Sequence, residues 1–139
     1  MQTIAERLNS ARKGIDQAAN SAHRPPNSVK LLAVSKTKPV SDIIEAYEAG
    51  QRMFGENYVQ EALEKIPECD PDLEWHFIGR IQSNKTRAIA ENFSWVQTID
   101  NERTARRLND QRPEHLGPLN ACIQVCVDDN GEHGGVRPA

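Results

Sequence analysis

Five short apolar runs alternate with helical segments along the chain, and this alternation limits the fold more than any other feature. The runs begin at Leu31, Arg52, Leu73, Ser94 and Leu119. Their centres lie roughly 20–26 residues apart, the spacing of βα units. Such units give a parallel sheet with helices outside it, joined by right-handed crossovers. Two architectures compete, an open doubly wound sheet and a run of units from an eight-stranded barrel. No Gly-x-Gly-x-x-Gly follows the first run, and no Gly-rich loop ending in Lys-Ser/Thr occurs, so the nucleotide-binding reasons for the open sheet fall away. The barrel has its own difficulty, because five strands cannot close at the usual tilt.

Local signals place the elements. Ile4, Leu8, Ala11, Ile15, Ala18 and Ala22 share one helical stripe, and Thr3 with Glu6 fits a capping box. The spacing predicts a helix from Thr3 to about Ala22, ended by Arg24-Pro-Pro-Asn27. The first strand leads from Leu31 to Lys36 and is stopped by Pro39. Ser41 is the expected N-cap of the next helix, with Gly50 at its C′ position. A strand over Arg52–Gly55 precedes a helix opened by Asn57 and Gln60 and broken at Pro67. Leu73–Gly79 is the third strand, and Ser83 or Asn84 caps the helix that runs to about Asn92. Ser94–Ile99 is the fourth, with Asp100 capping a helix through about Gln111. Leu119–Val127 is the fifth. The chain reads as one domain over residues 1–139, with residues 1–24 as the N-terminal helix, 29–127 as the five strand units and 128–139 as an irregular tail.

Composition narrows the function. Of 139 residues, 27% are charged and 37% hydrophobic, which is polar but foldable. The net charge of −3 leaves no basic excess to neutralise nucleic-acid phosphates or an anionic membrane. No run is long enough to span a bilayer and no signal segment opens the chain, so a cytoplasmic protein is expected. Cys69, Cys122 and Cys126 are odd in number and read as structural thiols, and no Cys or His pair has zinc spacing.

Chemistry in parallel α/β folds gathers at the carboxyl ends of strands. Lys36 and Lys38 follow the first strand, Glu56, Asn57 and Tyr58 the second, and Arg80, Gln82, Ser83, Asn84 and Lys85 the third. Asp100 follows the fourth, and Asp128, Asp129 and Asn130 the fifth. Asn57, Ser83, Asn84 and Asp100 are also good helix caps. His76, within the third strand, reads either as a packed core residue or as a base. Lys36 is either a solvated lysine past a strand end or the amine for imine chemistry with an aldehyde, a role that partial burial favours.

A resemblance decides among these. Leu32-Ala-Val-Ser-Lys-Thr-Lys-Pro39, Phe54-Gly-Glu-Asn-Tyr-Val-Gln-Glu61, Trp75-His-Phe-Ile-Gly79 with Gln82-Ser-Asn-Lys85, and Thr98-Ile-Asp100 occur in this order and spacing. Together they closely resemble the pyridoxal-phosphate homeostasis protein family, relatives of the alanine racemase N-terminal barrel. The resemblance implies a TIM-type (β/α) barrel with an extra N-terminal helix, of which this chain supplies about five of eight strands. It implies pyridoxal 5′-phosphate held as an imine on Lys36, with Lys38, Asn57, His76, Gln82 and Asn84 around it. It implies no robust turnover, hence no catalytic residue, but a carrier role in vitamin B6 and amino-acid balance; the absence of a His pair with a carboxylate at ligand spacing separately predicts no metal. The alternatives are a racemase- or decarboxylase-like enzyme using the same lysine, or a cofactor-free interaction fragment. The family's phosphate-binding Ser and Gly segments and its late Arg-Ile-Gly stretch have no counterpart here, so weak cofactor binding is expected. In Glu132-His-Gly-Gly135, His133 stands where family members often carry lysine. Open sheet edges also imply self-association.

Overall fold

The computed structural model describes residues 1–128 and 134–139. Asp129, Asn130, Glu132 and His133, which the sequence reading had singled out, lie outside these residues. Helix α1 spans Ile4–Ser21. The first strand, β1, covers Ala33–Val34 and is followed by α2, Val40–Glu48. Then come β2, Met53–Glu56, and α3, Val59–Lys65. The third unit is β3, Glu74–Phe77, with α4, Thr86–Asn92. The fourth is β4, Trp95–Ile99, with α5, Glu102–Gln111, and β5, Asn120–Ile123, closes the series.

All strand pairs are parallel, and the spatial order β1-β2-β3-β4-β5 equals the chain order. A doubly wound sheet would reverse direction at a switch point. This sheet never reverses, so each unit is added beside the previous one, as in a barrel wall.

Cross-strand register sorts the side chains into two faces. Phe54, Trp75, Phe77 and Val96 point toward the helices and form the core with Ile43, Ile89, Phe93 and Leu108. The opposite, concave face carries the row Val34, Gly55, His76 and Trp95. Leu32 and Ile78 lie over Gly55 on that face, near enough that an added Cβ would meet Ile78 at 2.9 Å. With no closing strands among the described residues, Val34 stays 51% exposed.

Several helix ends differ from expectation. The capping box of Thr3 and Glu6 is present, and Gly50 takes a positive φ of 97° after α2. The expected cap Ser41 lies inside α2, because Pro39 sits at the N-cap with extended backbone and the helix starts at Val40. Asn57 does not cap α3, whose N-cap is Tyr58 with no side-chain bond. Ser83 and Asn84 belong to a one-turn 3-10 helix before α4, so neither is its cap. Asn101, not Asp100, caps α5 by accepting from the Thr104 amide at 2.8 Å. Cys126 is buried but lies beyond β5, its thiol 3.2 Å from the Asp128 carbonyl oxygen. The tail is not wholly irregular, since Val136 forms a bridge with Val125.

Candidate functional site

Lys36 lies two residues past the end of β1, after Ser35. The ladder continues one residue past that strand, with the Ser35 amide donating to the Gly55 carbonyl at 3.0 Å. Lys36 comes after this last ladder bond, and it lines neither of the cavities at the carboxyl ends of β2 to β4. Lys36 is exposed rather than partly buried. It occupies a tight turn in which the Lys38 amide donates to the Ser35 carbonyl at 3.1 Å and Thr37 adopts φ 63°.

Two adjoining cavities open at the carboxyl ends of β2 to β4. One, of about 470 Å³, is lined by residues that include Asn57, Tyr58, Arg80, Gln82 and Lys85. The other, of about 650 Å³, shares Asn57, Gly79 and Arg80 with it and adds Thr98, Asp100 and Gln124. The β2 and β3 exits meet without a gap. Thr98 donates its hydroxyl to the Gly79 carbonyl at 2.6 Å, which ties the β4 end to the same junction. Among the described residues, the side-chain oxygen of Asn57 is buried with no donor. A buried acceptor without a donor is costly, and one lining a cavity suits a ligand that brings a donor.

The other residues singled out from the sequence scatter. Lys38 lines a separate cleft of about 180 Å³ among α1, β1 and α2, with Arg7 and Asp42. Asn84 is exposed on its 3-10 turn and lines neither mouth cavity. His76 lies deeper on the concave face, only 3% exposed, stacked on Trp95 with ring centroids 5.4 Å apart. Both ring nitrogens are engaged, Nε2 with Glu74 at 3.0 Å and Nδ1 with Gln97 at 3.0 Å. Burial pushes its pKa below the ordinary 6.5, and the Glu74 carboxylate only partly opposes this.

One cluster was not anticipated. Beneath the Lys36 turn, on the helix side, the Lys65 ammonium donates to the Ser35 carbonyl at 2.8 Å and contacts Glu56 at 3.1 Å and Glu61 at 2.6 Å. Ser35 donates its hydroxyl to Glu56. Glu61 accepts the Thr37 amide at 2.6 Å. Glu56 and Lys65 are 0% and 7% exposed. The spacing of Glu61 and Lys65, four apart on a helix, was a readable signal; the reach of Lys65 across to β1 was not.

A sequentially wound parallel sheet with a lysine past its first strand defines a lysine-bearing barrel domain, and the chain belongs to the family described as alanine racemase, N-terminal domain, matched over residues 7–139. It is 52% identical over 139 residues to the pyridoxal phosphate homeostasis protein of Pasteurella multocida, covering 98% of this chain and 60% of that protein. The PipY structure from Synechococcus elongatus without PLP superposes with a TM-score of 0.80 at 42% identity, covering 96% of this chain and 59% of that one. PipY with PLP bound superposes at 0.76 and 44% identity, over 91% and 56%. The chain thus spans about three fifths of the length of the relatives it matches.

Proposed function

We propose that this chain binds pyridoxal 5′-phosphate covalently through Lys36 and serves cytoplasmic B6 and amino-acid balance as a carrier without robust turnover. The observation that supports it most is the donorless oxygen of Asn57, which lines both mouth cavities at the carboxyl end of β2, the strand paired with the β1 that Lys36 follows. The residues there fit the group. Asn57 can accept from a ring hydroxyl, while Arg80 and Lys85 line the cavity with the charge a phosphate needs. When bound, the cofactor supplies an aldehyde. Lys36 would be the residue that holds it there, its amine the group that would condense with the aldehyde and release water. Gln82 borders the same cavity and Asn84 sits on the 3-10 turn beside it, whereas Lys38 lines the separate cleft and His76 is buried in β3.

Incubation with the cofactor followed by borohydride reduction and peptide mapping tests this reading. Lys36 is expected to carry the label, at a cofactor excess larger than a full-length relative needs, and Lys36→Ala is expected to lose the visible imine absorption. Label on Lys38 or Lys85 instead, or on no lysine, overturns it. Racemisation or decarboxylation of added amino acids at an enzyme-like rate would replace the carrier role with catalysis.

A further inference from the structure

Lys36 is held from both sides by one buried ion cluster. On its amino side the Ser35 carbonyl accepts from Lys65 at 2.8 Å, and the Ser35 hydroxyl donates to Glu56. On its carboxyl side the Thr37 amide donates to Glu61 at 2.6 Å. Glu56, Lys65 and Glu61 are joined through Lys65, so the two grips form one unit. Thr37 is β-branched yet left-handed at φ 63°, a conformation that persists only where surroundings impose it.

Stability is a weak reason for such a cluster. Removing charges from water costs about as much as their attraction returns, and apolar residues of similar volume do as well or better. A buried ion cluster does supply directional bonds at fixed places, and here those places are the two peptides that flank Lys36. We propose that Glu61 and Lys65, backed by Glu56, are positioning residues that aim the Lys36 amine at the Asn57 cavity. This rests on the imine reading above and adds to it the residues that set the geometry of the amine.

The test uses the full chain with Glu61→Ala and Glu61→Gln. Glu61 lies on the partly exposed side of the cluster, so both variants are expected to unfold cooperatively, as circular dichroism would show. Glutamine keeps a carbonyl oxygen for the Thr37 amide, and alanine does not. Pyridoxal 5′-phosphate is titrated against the visible imine absorption, and hydrogen exchange is followed at the Thr37 amide. Glu61→Ala is expected to raise the half-saturating concentration roughly five- to tenfold, the scale of one net hydrogen bond. It is also expected to speed Thr37 exchange at least about tenfold, with Glu61→Gln close to the parent in both. Half-saturation in Glu61→Ala equal to the parent overturns the proposal, as does a Gln variant no better than Ala. A parent chain that forms no imine on Lys36 overturns the cofactor reading instead. The grip on Lys36 then stands or falls on the Thr37 amide, and exchange unchanged by Glu61→Ala overturns it.

Discussion

A methyl group placed on Gly79 would lie 2.0 Å from the backbone oxygen of Asn57, so the exit of β3 rests directly on the exit of β2. No side chain can enter that junction without backbone movement, and real Cβ contacts never come so close. Gly79→Ala is therefore expected to destabilise the fold by about 2–3 kcal/mol, the usual cost of overpacking a rigid site. It should also widen the cavities that Asn57 and Gly79 share. Urea unfolding measures the first effect as a lowered midpoint at unchanged slope. A midpoint within error of the parent would show that the two exits part easily.

The ion cluster under Lys36 predicts a distinct mutational pattern. Lys65→Met leaves Glu56 buried without its cation, while Ser35 alone still donates to it. The expected loss is about 3–5 kcal/mol. Adding Glu56→Gln removes the stranded charge, so the double variant is expected to recover part of that loss despite carrying two changes. The coupling is measured by a double-mutant cycle in urea. Additive losses would mean that Glu56 is neutralised by some other route.

Much of this architecture was legible in the sequence. The period of apolar runs gave five strands and their helices, because a parallel strand is buried on its helix side and helix stripes recur at 3.6 residues. That a strand ends shortly before Lys36 was legible too, although β1 stops at Val34 and Pro39 serves as the N-cap of α2. The helix caps were less so. Ser41, Asn57, Asn84 and Asp100 each satisfy the local capping rule, yet the helices start from Pro39, Tyr58, Lys85 and Asn101. Lys65 stands near the end of α3 and carries no local sign of its role at β1. Its partner Ser35 is thirty residues away, and no local rule reports a contact made by packing α3 against β1. Arg112 shows the same limit, bonding the carbonyls of Ala90 and Phe93 at the end of α4, both at 2.7 Å.

His76 makes stability depend on pH with a definite sign. Its pKa is lowered in the fold by burial, against the pull of Glu74, while the unfolded chain protonates near 6.5. Below that value the unfolded state takes up a proton that the folded state resists, so stability falls as pH drops from about 6.5 toward the lowered value and levels off beneath it. Glu61 adds a second acid limb. The Lys65 hydrogen bond first, and then the Thr37 amide, hold its carboxyl below the ordinary 4.5. That stabilisation is present above about 4.5 and disappears as pH falls through the lowered value. His76→Gln is expected to flatten the upper limb and leave the lower one. Urea midpoints from pH 7.5 down to about 2 separate the two, and an unchanged upper limb would mean that another group titrates there.

The sheet edges carry the last prediction. Among the described residues β1 is paired only with β2, and β5 only with β4. Val34 is 51% exposed on β1, and Ile123 is 70% exposed on β5. The two edges differ in what guards them. Past β5 the backbone is already taken, because Val136 donates to the Gln124 carbonyl at 2.8 Å and accepts the Cys126 amide at 2.7 Å. Nothing described pairs the outer side of β1, so its edge is the better template for a second copy. The chain is expected to self-associate in a concentration-dependent way. Val34→Lys, which puts a charge on the open edge, is expected to weaken this more than Ile123→Lys. Sedimentation velocity over a hundredfold range of concentration decides it. A folded monomer throughout would show that the exposed edges are tolerated in water, and a larger effect of Ile123→Lys would move the contact to β5.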